Sequence, residues 1–271
     1  MEYKSEYPGV IHFEKRGHVA LLTFDNPKTL NALNPDTFAS INLLFGKMEE
    51  DPDILGVILT GAGRSFVAGA DLTDSRMSVT DPSKIPPLSR REQLRYIHET
   101  LNKVAEFPYP TIAAVNGFAL GGGAELALCC DFRILSSKAK VGFPETHLGA
   151  IPGYTGPSRA IRILGIEAAK EMIYTSKRYT AQEAKELGFA RRVVEPEELL
   201  PAAEELMGQI IKQAPHGVRY AKLLCNRSLE MTLENSLEFE RLIMGTLGTT
   251  EDFAEGMRAF REKREPVFKG R

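Results

Sequence analysis

Two glutamates with unusual neighbours are the residues in this sequence best placed to do chemistry. Glu125 follows the triple glycine 121–123 and precedes an apolar run, and Glu145 follows Pro144 among small and turn-forming residues. A carboxyl group can accept a proton as a general base or donate one as a general acid. Glu125 and Glu145 are therefore the candidate catalytic residues.

The triple glycine predicts a tight loop that opens a buried helix. The first N–H groups of a helix have no partner within it, so such a loop offers backbone donors to an anion. Glu125 then lies in the first helical turn, where the helix dipole favours the ionised carboxylate and hence proton acceptance. Glu145 is predicted to lie in a loop, because Pro144 holds the chain out of a helix.

A purely structural interpretation of these two runs stays open. A glutamate near a helix N-terminus is a common stabilising feature, and three glycines alone often form only a flexible connection. These two runs alone therefore do not assign a function, and the rest of the sequence is needed.

A second segment of small residues, 66–71, follows a predicted strand. Small side chains let the backbone come close to a ligand, so this segment offers a second N–H donor. Together with Gly122 it would stabilise an enolate or a tetrahedral oxyanion through two backbone hydrogen bonds. The preceding run 61–66 is not a nucleotide-binding loop, because Phe66 stands where a dinucleotide fingerprint needs glycine and no Gly-Lys-Ser/Thr ending follows.

Alternating strands and helices in the first half of the chain must position these groups. Apolar periodicity predicts strands at 19–24, 54–60 and 111–115 and helices at 35–50 and 90–107. This alternation indicates an α/β fold, in which the loops at one end of the strands usually carry the site.

From about Thr155 onwards the pattern becomes mostly helical, apart from one predicted strand at 190–195. The irregular stretch 71–89 is predicted to be a lid or a binding loop. The helices predicted in the second half lie at 156–164, 167–175, 180–187, 196–213, 215–230, 234–247 and 249–263.

Composition excludes several classes of function. The chain has 271 residues, 43% of them hydrophobic, and a net charge of −2, which argues against a nucleic-acid-binding surface spread over the protein. Cys129, Cys130 and Cys225 lack the spacing of a metal site and are expected to be reduced core thiols. The polar N-terminus and the lack of a long apolar stretch lead us to expect a cytoplasmic protein with no membrane association.

Several ordered motifs resemble the signatures of the crotonase superfamily, and in particular of its enoyl-CoA hydratases. The resemblance runs from about Val10 to Phe268 and rests on the segments 66–71, 113–126, 130–131, 143–145, 148–153, 181–188 and 255–263. It implies a crotonase-like spiral of ββα units over residues 1–200, which carries the active site. It also implies a helical region, residues 201–271, that forms a homotrimer or homohexamer and completes the CoA site.

Position by position, the resemblance implies roles for particular residues. Glu125 and Glu145 match the catalytic pair, and the N–H groups of Ala70 and Gly122 match the oxyanion hole that holds the thioester oxygen. The remaining matches are to positions that bind the substrate or CoA: Ala68, Asp71, Leu72, Gly121, Phe260 and Lys263.

The implied activity is the reversible syn addition of water to a trans-2-enoyl-CoA to give a 3-hydroxyacyl-CoA, a reaction of fatty acid β-oxidation. No metal or redox cofactor is implied, and CoA is part of the substrate. Three alternatives stay open: an enoyl-CoA isomerase that uses Glu145 alone, a hydratase for cyclic or branched acyl-CoA, and a non-catalytic RNA-associated protein with the same fold. The intact pair of glutamates favours hydration.

Two departures from the hydratase pattern concern the ligand pocket. Leu72–Asp74 stands where many hydratases carry a lysine, and Tyr154–Arg159 replaces a glycine-rich run. An acyl pocket of unusual shape is therefore expected. His147, two residues from Glu145, is a further candidate, weighed against a solvent-exposed loop histidine.

Overall fold

The computed structural model describes residues 10–77 and 87–271, which form two compact units. The first unit extends to Phe107 and resumes from Thr111 to Glu204. The second comprises Pro108–Pro110 and Glu205–Arg271. The predicted boundary at residue 200 lies a few residues from this division.

Pairs of short strands, most of them followed by a helix, build the first unit. Its strands are β1 (Ile11–Arg16), β2 (Val19–Phe24), β3 (Gly56–Gly61), β4 (Ser65–Val67), β5 (Thr111–Val115), β6 (Phe118–Leu120), β7 (Phe132–Ser136), β8 (Lys140–Gly142), β9 (Tyr179–Thr180) and β10 (Arg192–Val194). Its helices are α1 (Pro35–Glu50), α2 (Pro87–Ala105), α3 (Gly122–Cys129), α4 (Gly156–Leu164), α5 (Ile166–Thr175) and α6 (Ala181–Glu186).

The strands form two sheets, one in the order β1-β2-β3-β5-β7-β10 and one in the order β4-β6-β8-β9. β1 is antiparallel to β2 and β9 is antiparallel to β8, whereas the other neighbours are parallel. In the successive pairs β3–β4, β5–β6 and β7–β8, the first strand advances one place in the larger sheet and the second advances one place in the smaller sheet. The chain therefore winds as a spiral of ββα repeats, which confirms the predicted fold class.

Helix α3 lies in the core of this spiral. All its residues are buried, including the polar Glu125, whereas α1 buries only one face. A helix that is apolar on every side is stable only when it is surrounded by protein. The first turn of α3 and its glutamate are consequently held inside the first unit.

The second unit is helical. It holds the end of α7 (Leu199–Ile211) together with α8 (Pro215–Ser228), α9 (Leu233–Leu247) and α10 (Glu251–Glu262). The chain after α10 folds back on that helix, because Asp252 accepts the N–H groups of Lys269 and Gly270. Buried Glu255 similarly binds the Arg264 side chain.

The predicted elements agree with the structure in most places. α1, β2 and β5 have the predicted bounds, and each helix predicted after Thr155 is present, as α4 to α10. The prediction of irregular structure over 71–89 was wrong at its end, because α2 begins at Pro87. Proline fits the first turn of a helix, where its missing N–H would have no partner. Residues 78–86 of the predicted lid lie outside the described residues.

The close packing of α3 on β4 generates a stability prediction. A methyl group at Gly123 would overlap the carbonyl oxygen of Val67, and backbone cannot move aside as a side chain can. We expect Gly123→Ala to lower the free energy of unfolding by about 3 kcal/mol or more. Gly46→Ala is the matched control, because a methyl group at Gly46 in α1 meets nothing within 4 Å. Thermal denaturation should show a loss for the first variant and a small gain for the second, and equal melting temperatures would contradict this packing.

Candidate active site

Glu125 is bound by three consecutive backbone N–H groups. Its Oε1 accepts hydrogen bonds from the N–H groups of Tyr154 at 2.8 Å, Thr155 at 2.9 Å and Gly156 at 2.6 Å. These donors lie at the start of α4, where the N–H groups have no partner within the helix and the helix dipole favours an anion. Oε2 accepts no hydrogen bond from the described residues, so it is the oxygen that can meet a water molecule.

The electrostatics of Glu125 combine opposed effects. Burial raises the pKa of this carboxyl, because it removes water from the charged form. The three backbone donors lower the pKa, and so does the field of His98. Burial is the largest of these effects, so the pKa of Glu125 lies above its ordinary value, and the three donors hold the carboxyl in one orientation.

Glu145 lies in a short 3-10 turn, Pro144–Leu148, rather than in the irregular loop that was predicted. Pro144 takes the first position of the turn, and Gly149 ends it with a φ of 73°. The Glu145 side chain packs on Gly121, where a methyl group would overlap its Oε1 and where φ is +50°. Only glycine satisfies both requirements at position 121.

The environment of Glu145 favours its protonated form. Burial, and then the negative charge of Glu125, raise the pKa of Glu145 to about 7. Its Oε2 is buried and has no hydrogen-bond partner in the described part of the chain. The two carboxyls therefore interact through their charges, and they differ in that Glu125 has three backbone donors.

The predicted oxyanion donors have N–H groups without a partner. Ala70 forms a β-bridge with Leu33, in which Leu33 donates to Gly69 at 2.7 Å and accepts from Asp71 at 2.8 Å. The N–H of Ala70 itself therefore faces away from Leu33. Gly122 is the first residue of α3. Neither the Ala70 nor the Gly122 N–H donates to another group among the described residues, and their convergence on one ligand oxygen stays a prediction.

The remaining predicted ligand positions in the first unit lie around this segment. The Ala68 N–H donates to Leu30 at 3.1 Å. Asp71 stabilises the turn that follows it, because its Oδ1 accepts the N–H of Thr73 at 2.9 Å and the Thr73 hydroxyl at 2.6 Å. Leu72 is 60% exposed.

Phe260 and Lys263 lie in the second unit, at the end of α10. Phe260 is 82% exposed, and Lys263 ends the helix in a left-handed conformation with φ 54°. Their predicted contact with CoA stays a prediction. His147 is exposed, and its backbone N–H donates to the Ser176 hydroxyl at 3.1 Å.

Sequence reasoning missed the residues that hold Glu125. The donors Tyr154–Gly156 were noted only as a departure from a glycine-rich pattern, although a glycine and a proline at the start of a helical run signal a helix N-terminus. His98 was also missed. Its Nε2–H donates to the carbonyl oxygen of Gly153 at 2.8 Å, which joins α2 to the segment that binds Glu125.

Two kinds of feature are absent from the described residues. No group of three or more His, Cys, Asp and Glu side chains in residues 10–77 and 87–271 is arranged to hold a metal ion. Within the same residues no helix is both long and apolar enough to cross a membrane.

The raised pKa of Glu145 predicts how stability depends on pH. The pKa is about 7 in the folded protein against an ordinary 4.5, so its stabilising contribution is complete below pH 4.5 and is lost as the pH rises through 7. Glu145→Gln keeps a neutral side chain at every pH. We expect the stability of this variant relative to the parent to increase between pH 5 and pH 8 in urea denaturation.

The control is Glu167→Gln, which removes an exposed carboxylate on α5. It separates the effect of Glu145 from that of net charge. A stability difference for Glu145→Gln that is the same at both pH values would contradict the protonated state inferred for this group.

Comparison with known proteins places the chain in a family. A family profile described as enoyl-CoA hydratase/isomerase matches residues 14–271. The short-chain-enoyl-CoA hydratase of Clostridium acetobutylicum is 43% identical over 93% of this chain and 94% of its own length. The crotonyl-CoA hydratase of Syntrophomonas wolfei is 38% identical over 97% and 98%.

Solved structures agree with these sequence relatives. The crystal structure of an enoyl-CoA hydratase from Bacillus anthracis superposes with a TM-score of 0.89 at 36% identity, and covers 97% of this chain and 100% of its own. The ββα spiral and the matches to these proteins over nearly the whole chain agree. This protein belongs to the enoyl-CoA hydratase/isomerase family.

Proposed function

We propose that this protein is a hydro-lyase that adds water reversibly and syn to a trans-2-enoyl-CoA, giving a 3-hydroxyacyl-CoA. The observation that supports the proposal is a pair of interacting carboxyls, Glu125 buried and Glu145 half-buried, whose hydrogen-bond environments differ. Glu125 has three N–H donors for its charge, and Glu145 has a pKa of about 7 and an unpaired oxygen. Hydration needs one base for water and one acid for carbon.

The proposed steps assign one task to each group. The thioester oxygen accepts hydrogen bonds from the N–H groups of Ala70 and Gly122, which stabilise the negative charge as an enolate forms. A water molecule attacks C3, and the Oε2 atom of Glu125 accepts a proton from this water. Glu145 donates its proton to C2, on the same face. Dehydration runs the same steps in reverse. Because the charge of Glu125 raises the pKa of Glu145, the two carboxyls titrate as a coupled pair.

The relatives' names support a short acyl group. The C. acetobutylicum protein is named for short-chain substrates and the S. wolfei protein for crotonyl-CoA. The space beside Gly122 is also narrow, because an added methyl group there would lie 3.0 Å from the Tyr154 ring and 3.1 Å from the Leu33 side chain. The Tyr154 ring is in turn held by an edge-on contact with Phe38, at 5.6 Å between ring centres.

An enoyl-CoA isomerase is the second candidate within the family. It would move a proton between C2 and C4 with Glu145 alone, and would have no need to orient Glu125 with three donors. Product analysis distinguishes the two, since hydration yields a 3-hydroxyacyl-CoA and isomerisation a shifted double bond. A hydratase for cyclic or branched acyl groups would share the same catalytic groups and differ only in the pocket. Retention of RNA without turnover of any acyl-CoA would favour the non-catalytic alternative.

The catalytic pair yields the first functional prediction. Glu125→Gln and Glu145→Gln should each lower kcat for crotonyl-CoA hydration by about 10²- to 10⁴-fold, the usual contribution of a general acid or base. The double variant should lose little more than either single one, because the two groups act in one step. Stopped assays of 3-hydroxyacyl-CoA formation measure this, and near-parental turnover in either single variant would refute the assigned roles.

A second prediction concerns the Gly122 N–H. Gly122→Pro removes this donor at the first position of α3, where proline is tolerated. Gly122→Ala is the matched control, because its Cβ meets the same Tyr154 and Leu33 side chains as the proline Cβ while the N–H is kept. The proline variant should have a kcat about 10²-fold below that of the alanine variant, since an oxyanion donor contributes on the order of 3 kcal/mol.

This comparison is made on variants with unchanged circular dichroism and oligomeric state. Equal kcat values for the proline and alanine variants, with a difference only in KM, would assign Gly122 to ligand binding and not to an oxyanion hole.

We also propose that the protein assembles as a homotrimer or homohexamer through its second unit, and that it works in the cytoplasm. α9 has no fully buried residue, and apolar side chains in this unit are widely exposed. They include Leu229, Leu233, Leu242, Met244 and Phe260. Such surfaces usually mark contacts with another chain. Light scattering at micromolar concentration should give a mass of three or six chains, and a stable monomer would contradict the proposal.

A further inference from the structure

A basic cavity on helix α2 is not explained by the hydration chemistry above. It has a volume of about 480 Å³ and is lined by Arg90, Arg91, Leu94, Arg95 and His98. These residues follow one another at helical spacing, so they form one face of α2. We call this set the basic face.

Helix stability does not account for the charges on the basic face. Arg90 and Arg91 lie in the N-terminal part of α2, where the helix dipole is positive and favours acidic residues, yet the first turn has none. Arg95 is paired with Glu92 at 3.3 Å. Arg90 and Arg91 have no ion pair with any residue that the structure describes. Both side chains are exposed, and together with the positive end of the helix they give this face a local positive charge that attracts anions.

The cavity adjoins the segment that holds the proposed base. His98 lines it and donates to the carbonyl oxygen of Gly153, the residue before the three N–H donors of Glu125. Leu94 also lies beside Gly153, since a methyl group added at Gly153 would be 3.9 Å from the Leu94 side chain. The basic face therefore lies near the two glutamates, where the acyl end of a substrate would react. The phosphates of CoA would lie further away, at the other end of the pantetheine arm.

We propose that the basic face binds a carboxylate at the far end of the acyl chain, so that the preferred substrates are short trans-2-enoyl-CoA thioesters with a terminal carboxylate. This inference rests on the proposed hydration. Arginine suits this task because its planar fork binds a carboxylate through two hydrogen bonds. The phosphates of CoA are the other source of an anion, and they are joined to the thioester only through the pantetheine arm.

The test compares crotonyl-CoA with glutaconyl-CoA, which differ by a terminal carboxylate and share all of CoA. The parent protein should hydrate glutaconyl-CoA with the higher kcat/KM. Arg90→Gln and Arg91→Gln should each lower kcat/KM for glutaconyl-CoA tenfold or more and change it less than twofold for crotonyl-CoA. Arg178→Gln removes an exposed arginine outside the basic face and should change neither value.

Three outcomes would overturn the inference. Equal losses for both substrates in the Arg90 and Arg91 variants would assign the basic face to the CoA phosphates. Unchanged kinetics in both variants would leave the face without a role in substrate binding. A parent protein that prefers crotonyl-CoA would show that the cavity rejects a carboxylate. Failure of the proposed function looks different, because the parent would then hydrate neither substrate.

Discussion

The contact between Glu125 and the start of α4 is the interaction on which the rest of the site depends. One carboxylate oxygen accepts the N–H groups of three consecutive residues, 154–156, and the other accepts no hydrogen bond from the part of the chain that the structure describes. A buried carboxylate without such donors would be neutral, because burial alone disfavours its charge. When Glu125 is ionised, its negative charge adds to burial in raising the pKa of Glu145.

Glycine positions make this arrangement sterically possible. Gly121 lets Glu145 lie against the loop that opens α3, and a methyl group at Gly156 would lie 2.8 Å from Glu125 Oε1. Gly123 lets the same helix approach β4. The ββα spiral brings these segments together because successive strands occupy neighbouring places in both sheets. The fold thus gives the two glutamates different surroundings. In water their carboxyl groups would have the same chemical properties.

The α/β alternation and the two carboxyls were predictable from local sequence signals and the ββα spiral from the family resemblance, whereas the partners of the carboxyls were not predicted. Glu125 is announced by a triple glycine before an apolar helix and Glu145 by a preceding proline, and both signals lie within a few residues of the carboxyl. The donors of Glu125 lie 29 to 31 residues further along the chain and act through backbone, which no side-chain pattern reveals. The start of α2 was misjudged because a proline fits both a loop and a first helical turn.

The titration of Glu145 tests the central claim most directly, namely that the protein separates the protonation of the two carboxyls. Carbon-13 NMR of glutamate-labelled protein can follow the Glu145 carboxyl, which is assigned by its loss in Glu145→Gln. We expect the Glu145 carboxyl to have a pKa of about 7 in the parent protein. Its pKa should be lower in Glu125→Gln, where the neighbouring charge is removed. A pKa near 4.5 in both proteins would contradict it.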